Sequence, residues 1–343
     1  MNIINELFNT KSTLSYFIRK ILPKYPKHKS IESIEIIPHK KYIWSDNYHV
    51  VIEFVTTFIN SENTKTTISI FCTAHSNENR KPVCIKLNLL WDLGFNDSYL
   101  SIPKAIHYSK KYNACFYEGV DGISLYELIK DNNVESLVTA LPLAAKWFAK
   151  LHSLEIINRD NILKKSTIAR VIPGKKNILE RMEIDYPHIY PNYKKVFIAI
   201  AKIENKHLAK VKKLSIVHGD AHPENIISVN ARKLGVIDFT DLCIADPARD
   251  IGTFTQQLEF MSSRKLINPE LIKKLSGIFL KNYFKYAKIK PDDFLFERIN
   301  NYYNWTTIRT ATYFLTQIKL MTRKDCHNRA ISLINQAKEK MGL

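Results

Sequence analysis

The sequence is short of glycine and cysteine, and it has no long apolar run. Only 9 of its 343 residues are glycine, and none precedes Gly94. The five cysteines are scattered, odd in number and without Cys-x-x-Cys spacing, so we expect reduced thiols in the core of a cytoplasmic protein. No apolar run approaches the roughly 18 residues of a membrane span. The N-terminal segment carries Glu6 and lacks the basic-then-apolar order of a secretion signal.

Negative charge is also scarce. The chain has 51 Lys and Arg against 33 Asp and Glu, a formal net charge of +18. This excess suits an anionic partner, such as nucleic acid, a membrane surface or a phosphorylated substrate, but it also suits a lysine-rich solvated surface. The lysines are widely dispersed and no nucleic-acid recognition motif accompanies them. We therefore favour the solvated surface and expect no nucleic-acid partner.

The first third of the chain predicts mostly antiparallel sheet. Residues 11–23 predict a helix, and residues 30–38 predict a strand. The β-rich runs 49–58 and 66–73 predict a hairpin, since a polar turn separates them. Residues 82–87 predict a short apolar strand that carries Lys86 near its end.

After Gly122 the pattern becomes helical, because apolar residues recur at intervals of three and four. The change lies near residues 117–122, with no internal repeat and no low-complexity linker. The predicted helices cover residues 125–129, 134–156, 177–183, 193–213, 253–261, 269–288, 291–321 and 324–340.

One stretch, residues 215–252, has the arrangement of a site. An apolar run leads into His218-Gly219-Asp220, and Asn225 precedes a second apolar run, 226–229. A polar turn and a third run, 234–237, then end at Asp238, so the two runs predict a hairpin. Asn225 and Asp238 would lie at the same end of it, beside the loop of Asp220. Three oxygen-bearing side chains in one place suit a hard cation that holds phosphates.

The segments VHGDAHPEN, VIDFTD and ADPARDIG resemble the signature of the aminoglycoside phosphotransferase and choline kinase family. These proteins are small-molecule kinases with a protein-kinase-like fold. Three upstream segments also look similar: CIKL resembles the lysine strand, CFYEGVDGISL the hinge between lobes, and AAKWFAKLHS the long helix behind the active site. The resemblance covers roughly residues 86–254. It implies a two-lobed α+β fold, with a β-rich nucleotide-binding lobe at 1–117. The α-rich lobe at 118–343 would carry the catalytic and metal loops and the acceptor site.

The resemblance also implies roles in ATP- or GTP-dependent phosphoryl transfer. Asp220 matches the base that orients the acceptor hydroxyl. Asn225 and Asp238 match the ligands of Mg²⁺. Lys86 would contact the α- and β-phosphates, and the backbone from Glu118 to Val120 would face the adenine edge.

Other residues of the motif are expected to support the site. His218 and His222 would shape the catalytic loop, while Asp246 and Asp250 would open a helix whose N–H groups they cap. In the resembled fold, the second aspartate also braces the catalytic loop. For the acceptor, a predicted helix carries Tyr302, Trp305, Arg309 and Tyr313 on one face, which would either line the pocket or form an ordinary core face.

Two features depart from the family pattern. The turn at 60–66 holds Ser, Asn and Thr where the family usually has glycine, and no glutamate lies between Lys86 and Pro103 to pair with the lysine. Asp92, Asp97 or Glu53 could replace it, or the ion pair could be absent. The main hypothesis is a Mg²⁺-dependent kinase for a hydroxyl of an aminoglycoside, choline or ethanolamine, a sugar or an amino alcohol. The alternatives are an inactive nucleotide-binding scaffold and a basic binder of nucleic acid or membrane surfaces.

Overall fold

The computed structural model describes residues 2–97, 99–156, 162–171, 173–266, 268–316 and 323–343. The chain divides into two compact units. Unit 1 holds the residues up to Ile123 together with Ile227–Thr240, and unit 2 holds Ser124–Ile226 and Asp241–Leu343. The hairpin of the central stretch thus belongs to unit 1, and the loop that carries Asp220 belongs to unit 2.

Unit 1 is built on a five-stranded antiparallel sheet with strand order β1-β2-β3-β6-β5. Side chains of β2 alternate between buried and half-buried, which is the period-2 pattern of a strand with one face on a core. The predicted hairpin of β2 and β3 is confirmed. The strands are β1 (His28–Ile43), β2 (Tyr48–Asn60), β3 (Lys65–His75), β4 (Leu100–Ser101), β5 (Lys104–Ser109), β6 (Ala114–Glu118) and β7 (Ile123–Ser124).

Helix α1 (Thr10–Lys20) covers the buried face of this sheet. Asn9 caps it by accepting from the Ser12 N–H. Phe17 packs against Phe54 with ring centroids 4.9 Å apart, and Phe116 completes the aromatic centre. The predicted helix at 11–23 is therefore confirmed, and its apolar face forms the core of unit 1.

The predicted strand at 82–87 is wrong, because these residues lie in helix α2 (Lys81–Leu90). Pro82 stands in the first turn, where its missing N–H costs nothing. The buried side chains Val83, Cys84, Leu87 and Leu90 follow helical spacing. A six-residue apolar run does not separate a strand from a buried helix, so the run CIKL misled the prediction.

Cys84 of α2 and Cys115 of β6 form a disulfide, with sulfurs 2.09 Å apart. The expectation of reduced thiols is wrong for this pair. The spacing of the cysteines in the sequence did not indicate this disulfide. The two residues are 31 positions apart, and only the packing of α2 on the sheet brings them together. Cys72, Cys243 and Cys326 are buried cysteines outside this disulfide.

A second sheet of unit 1 contains the hairpin of the central stretch. Strands β9 (Ile226–Asn230) and β10 (Lys233–Val236) are neighbours, and β4 pairs with β10 in parallel. The predicted hairpin is confirmed. Gly235 is required at this point, because an added Cβ would lie 2.5 Å from the Val120 side chain.

Unit 2 is helical, as the 3.6-residue periodicity predicted. Phe148 of α4, Phe254 of α7 and Phe279 of α8 meet in its core, the last two with centroids 4.3 Å apart. A small sheet in this unit pairs β8 (Ser215–Val217) with β11 (Cys243–Ala245). The helices are α3 (Leu125–Lys130), α4 (Val134–Ser153), α5 (Lys175–Asp185), α6 (Tyr190–Leu208), α7 (Ala248–Ser263), α8 (Pro269–Ala287), α9 (Asp293–Thr316) and α10 (Arg323–Lys340).

The predicted helices of this unit are confirmed, except that the helix predicted at 193–213 ends at Leu208 and that part of 291–321 lies outside the described residues. The expected α+β class, with a sheet-rich N-terminal region and a helical C-terminal region, is confirmed as well. Within the described ranges, no helix combines the length and the apolar character that crossing a membrane requires.

Candidate active site

The loop after β8, residues 218–225, carries the sequence-predicted base. Gly219 adopts a left-handed conformation (φ +86°), and a Cβ there would lie 2.3 Å from the Asp241 carbonyl oxygen. Only glycine fits such a position. The turn at Gly219 directs the chain from the buried strand to Asp220, whose side chain is partly exposed.

Asp250 holds this loop from the side of α7. Its carboxylate accepts the N–H of His218 at 2.6 Å and that of Gly219 at 2.9 Å. His152 of α4 lies 3.1 Å away through Nε2. Burial by itself would raise the pKa of Asp250. The hydrogen bond and charge of His152, together with the charge of the nearby His218, outweigh burial and lower this pKa. The buried carboxylate is therefore ionised and joins α4, α7 and the loop.

Arg249 supports the same loop, although its role was not predicted. Its Nη2 donates to the Gly219 carbonyl at 3.2 Å, and its guanidinium stacks on the ring of Trp305 at 5.1 Å. The side chain is 2% exposed. Asp246 is equally buried, accepts the Ala248 N–H at 3.0 Å and pairs with Arg298 at 2.7 Å. The sequence did contain an indication of this role: the arginine stands inside the motif ADPARD, and an arginine that is buried there needs several hydrogen-bond acceptors.

The Asp220 carboxylate lies beside a histidine and an arginine. His222 Nε2 lies 3.3 Å from one carboxylate oxygen, and Arg309 Nη1 lies 3.6 Å from the other. Burial would raise the pKa of Asp220, but the hydrogen bond and charge of His222 and the charges of Arg309 and His218 hold this pKa well below its usual range. The group is therefore a carboxylate at neutral pH, which is the form that accepts or orients a hydroxyl proton.

Asn225 is brought to the same loop. Its amide nitrogen donates to the Asp220 carbonyl at 3.0 Å and lies 3.1 Å from His222 Nε2. His218 is fully buried, and its Nδ1 accepts the Asp220 N–H at 3.3 Å. Asp220, Asn225 and both histidines thus form one connected set within unit 2.

Asp220 also lines a cavity of about 640 Å³ in unit 2. His222 and Glu224 of the loop line it, together with Tyr126 of α3. Further walls are formed by Gln257 and Phe260 of α7, by Arg264 directly after it, and by Arg309, Thr310 and Tyr313 of α9. A pocket of this volume, with an ionised carboxylate in its wall, can hold a small organic molecule.

Of the three residues predicted to contact substrate, one lines the cavity and two are buried in the core. Arg309 lines the cavity. Tyr302 does not, because it is 2% exposed and donates its hydroxyl to Glu204, whose pKa burial raises to about 7. Trp305 is 1% exposed and lies between the guanidiniums of Arg249 and Arg309. For these two aromatic residues the core interpretation is correct, and the pocket interpretation is wrong.

A family model described as the phosphotransferase enzyme family matches residues 75–271, which is more than half of the chain. The chain belongs to this family. The match includes the loop of residues 218–225, the hairpin of unit 1 and the buried start of α7. No curated protein sequence matches the phosphotransferase.

Solved structures share its fold over nearly its whole length. Plasmodium vivax ethanolamine kinase is 15% identical, with a TM-score of 0.59 over 96% of this chain and 89% of that one. Spectinomycin phosphotransferase APH(9)-Ia, solved with ADP and spectinomycin, is 13% identical, with a TM-score of 0.57 over 98% and 99%. APH(2″)-IIia, solved with GDP and kanamycin, is 14% identical, with a TM-score of 0.56 over 94% and 98%. At such identities the likeness establishes the kinase-like fold alone.

The remaining predicted residues of the phosphotransferase lie in unit 1. Lys86 is on helix α2, not on a strand, and its Nζ donates to the Thr240 carbonyl at 2.6 Å. Glu53, one of the suggested partners of Lys86, accepts from Ser69 at 2.7 Å and lies 2.7 Å from His39. Glu118 ends β6, and Val120 packs against Gly235.

Asp238 follows β10 and has a left-handed backbone (φ +63°), which is uncommon outside glycine. Strained backbone of this kind gathers at functional sites. Its Oδ1 accepts the Thr240 N–H at 3.3 Å. Across the described part of the chain, no three His, Cys, Asp or Glu side chains lie where they could hold a metal ion together. The predicted magnesium ligands are instead one carboxylate and one amide, a donor set that needs phosphate and water oxygens to complete it.

Proposed function

We propose that the protein transfers the γ-phosphate of ATP or GTP to a hydroxyl group of a small molecule bound in the cavity beside Asp220. One observation carries this proposal. An ionised aspartate lines a cavity of about 640 Å³, and its loop is held by buried charged groups from the adjacent helix. That arrangement is costly to build, since it buries the charges of Asp250 and Arg249.

Asp220 would accept or orient the proton of the acceptor hydroxyl. Phosphoryl transfer asks little covalent chemistry of a protein, so alignment of the acceptor oxygen is the main task of this residue. Its low pKa suits orientation more than strong basicity, because a carboxylate of low pKa holds a proton weakly. Arg309, 3.6 Å from Asp220, would add positive charge near the transferred group.

Asn225 and Asp238 would supply oxygen ligands for Mg²⁺, which neutralises charge on the nucleotide phosphates. Both contacts of Asn225 within its loop use the amide nitrogen, so we assign its amide oxygen to the cation. Lys86 would contact the α- and β-phosphates, and the backbone from Glu118 to Val120 would face the nucleotide base. The relatives solved with ADP and with GDP support a nucleotide as the phosphate donor.

The decisive experiment replaces Asp220 by Asn and measures phosphoryl transfer to a panel of acceptors. The panel contains aminoglycosides, choline, ethanolamine, sugars and amino alcohols. We expect Asp220→Asn to lower kcat by about 10²-fold or more while nucleotide binding persists, because the amide cannot accept the hydroxyl proton.

Asp131→Asn is the matched control. Asp131 is exposed at the end of α3 and does not line the cavity, so the same substitution there removes a negative charge without touching Asp220 or the groups that hold its loop. We expect this variant to keep most of the activity. Unchanged transfer by Asp220→Asn, or retained nucleotide binding with no transfer to any acceptor, would refute the proposal. The second result would favour the nucleotide-binding scaffold.

A further inference from the structure

We infer that the acceptor carries an anionic group, a carboxylate or a phosphate, in addition to the hydroxyl that is phosphorylated. The inference rests on the proposed function, and it names the acceptor class from the charges and ring faces of the cavity wall. Arg264, directly after α7, and Arg309 of α9 both line the cavity. A guanidinium binds carboxylate and phosphate oxygens through two parallel N–H donors.

The acidic residues of the wall do not offer a site for a polycation. Asp220 has Arg309 3.6 Å away and His222 3.3 Å away. Glu224 lies 3.6 Å from the other ring nitrogen of His222. Counting only the described residues, the cavity wall therefore presents two carboxylates and two guanidiniums, and one of these carboxylates is the proposed catalytic one. A molecule with several ammonium groups would meet no net attraction there, in a chain whose net charge is +18.

The aromatic residues of the wall do not form an open cage for a quaternary ammonium either. Four aromatic residues line the cavity: Tyr126, Phe260, Tyr313 and Phe314. Tyr126, Phe260 and Phe314 each have a cationic side chain of the protein on a ring face, Lys130 in the case of Tyr126, and Tyr313 is 58% exposed. Arg264 lies 5.8 Å from the centroid of Phe260, and Arg329 lies 5.8 Å from that of Phe314. A second cation on these faces would be repelled by the arginines that occupy them.

Arg264 is the residue that distinguishes an anionic ligand from a neutral one. It is exposed, and among the described residues no acidic side chain lies within ion-pair distance of it. Arg309, in contrast, has Asp220 as its counter-ion. An anionic group on Arg264, with the hydroxyl at Asp220, gives each fixed charge of the cavity a partner.

Four sugars of nearly equal size test this inference: glucose, glucosamine, glucose 6-phosphate and gluconate. Their dissociation constants are measured by titration calorimetry in the presence of saturating ADP, which keeps the anions out of the nucleotide site. We expect at least one of the two anionic sugars to bind about tenfold or more tightly than glucose, and glucosamine to bind no better than glucose. The two anionic probes also separate a carboxylate from a phosphate.

Arg264→Gln should remove the preference for the anionic sugar, and Arg264→Lys should restore part of it. Lys265→Gln is the matched control, because it removes the same charge from the next position, which does not line the cavity. Tightest binding of glucosamine, no binding of either anionic sugar, or equal losses in Arg264→Gln and Lys265→Gln would overturn the inference.

Failure of the proposed function would look different. It would appear as transfer that does not depend on Asp220, or as no transfer at all, while the binding preference and its dependence on Arg264 remain measurable. Transfer only to cationic acceptors would overturn the inference and leave the proposed function intact.

Discussion

The loop of residues 218–225 in unit 2 and the run of residues 82–87 in unit 1 were both assigned from short sequence motifs, and only the first motif predicted its local structure. The first motif contains polar and backbone features that are hard to explain otherwise: the loop has a glycine at φ +86°, and the Asp250 carboxylate of α7 accepts two backbone N–H groups of the loop. Residues 82–87, which lie in helix α2, were assigned as a strand from an apolar run with one lysine. Apolar residues of that kind fit the buried face of a strand or of a helix equally well.

The difference teaches that polar and backbone constraints are more specific than apolar ones. A buried charge such as Asp250 requires defined partners, and these partners recur at defined spacings. An apolar side chain such as Leu87 requires only burial. The same distinction sets the sizes of the effects that we expect from substitutions in the two regions.

The largest effect should come from Asp250→Ala. It leaves two buried N–H groups and His152 without their acceptor, so we expect a loss of about 3–5 kcal/mol in the free energy of unfolding. The folded pKa of Asp250 is lowered. The stability that its carboxylate contributes is therefore fully present above the ordinary pKa of an aspartate, and it is lost as the pH falls from that value through the lowered folded pKa. Urea denaturation at pH 7 and at acid pH measures both effects.

The control for this substitution is Asp92→Ala, at an exposed position just after α2. We expect a change within about 0.5 kcal/mol, since an exposed residue outside such a network contributes little. If both variants lost the same free energy of unfolding, the buried network around Asp250 would be no more important for stability than an exposed position after α2.

An intermediate result is expected for Lys86→Met. The hydrogen bond to the Thr240 carbonyl is solvent-exposed, so the free energy of unfolding should fall by no more than about 1 kcal/mol. If Lys86 contacts the nucleotide phosphates, KM for ATP should rise by about tenfold or more. Steady-state kinetics and denaturation on the same preparation separate the two roles. Lys81→Met, at the exposed start of α2, is the control. An unchanged KM for ATP in Lys86→Met would refute the nucleotide contact.

The smallest effect tests whether residues 81–90 are helical in solution. Asn88 is exposed within α2. Asn88→Ala should stabilise the protein by about 0.5 kcal/mol, because alanine has the higher helix propensity. Asn88→Val should bring little or no gain, since β-branched residues favour strands. A larger gain from valine than from alanine would support the strand that the sequence suggested.

Much of the fold was predictable from local pattern. The alternation in β2 and β3 and the periodicity of the long helices in unit 2 predicted element type correctly, because one face of each element must be buried. The disulfide of Cys84 and Cys115 was not predictable, since it depends on how α2 packs against β6. The burial of Tyr302 and Trp305 was also undecided, because a pocket face and a core face of a helix have the same apolar spacing.

The sequence by itself determined the family, the turn of the chain at Gly219 and the hairpin that follows. In these segments the deciding residues lie within about forty positions of one another, so their spacing can be read directly from the sequence. Only the tertiary structure decided the helical state of Lys86 and the composition of the acceptor cavity. That cavity brings Tyr126, Asp220, Arg264 and Arg309 into one wall from separate segments, so no local pattern records which charges face each other. The contacts of Arg264 with the ring of Phe260 and of Arg329 with the ring of Phe314 also depend on packing, and the inference about the acceptor rests in part on them.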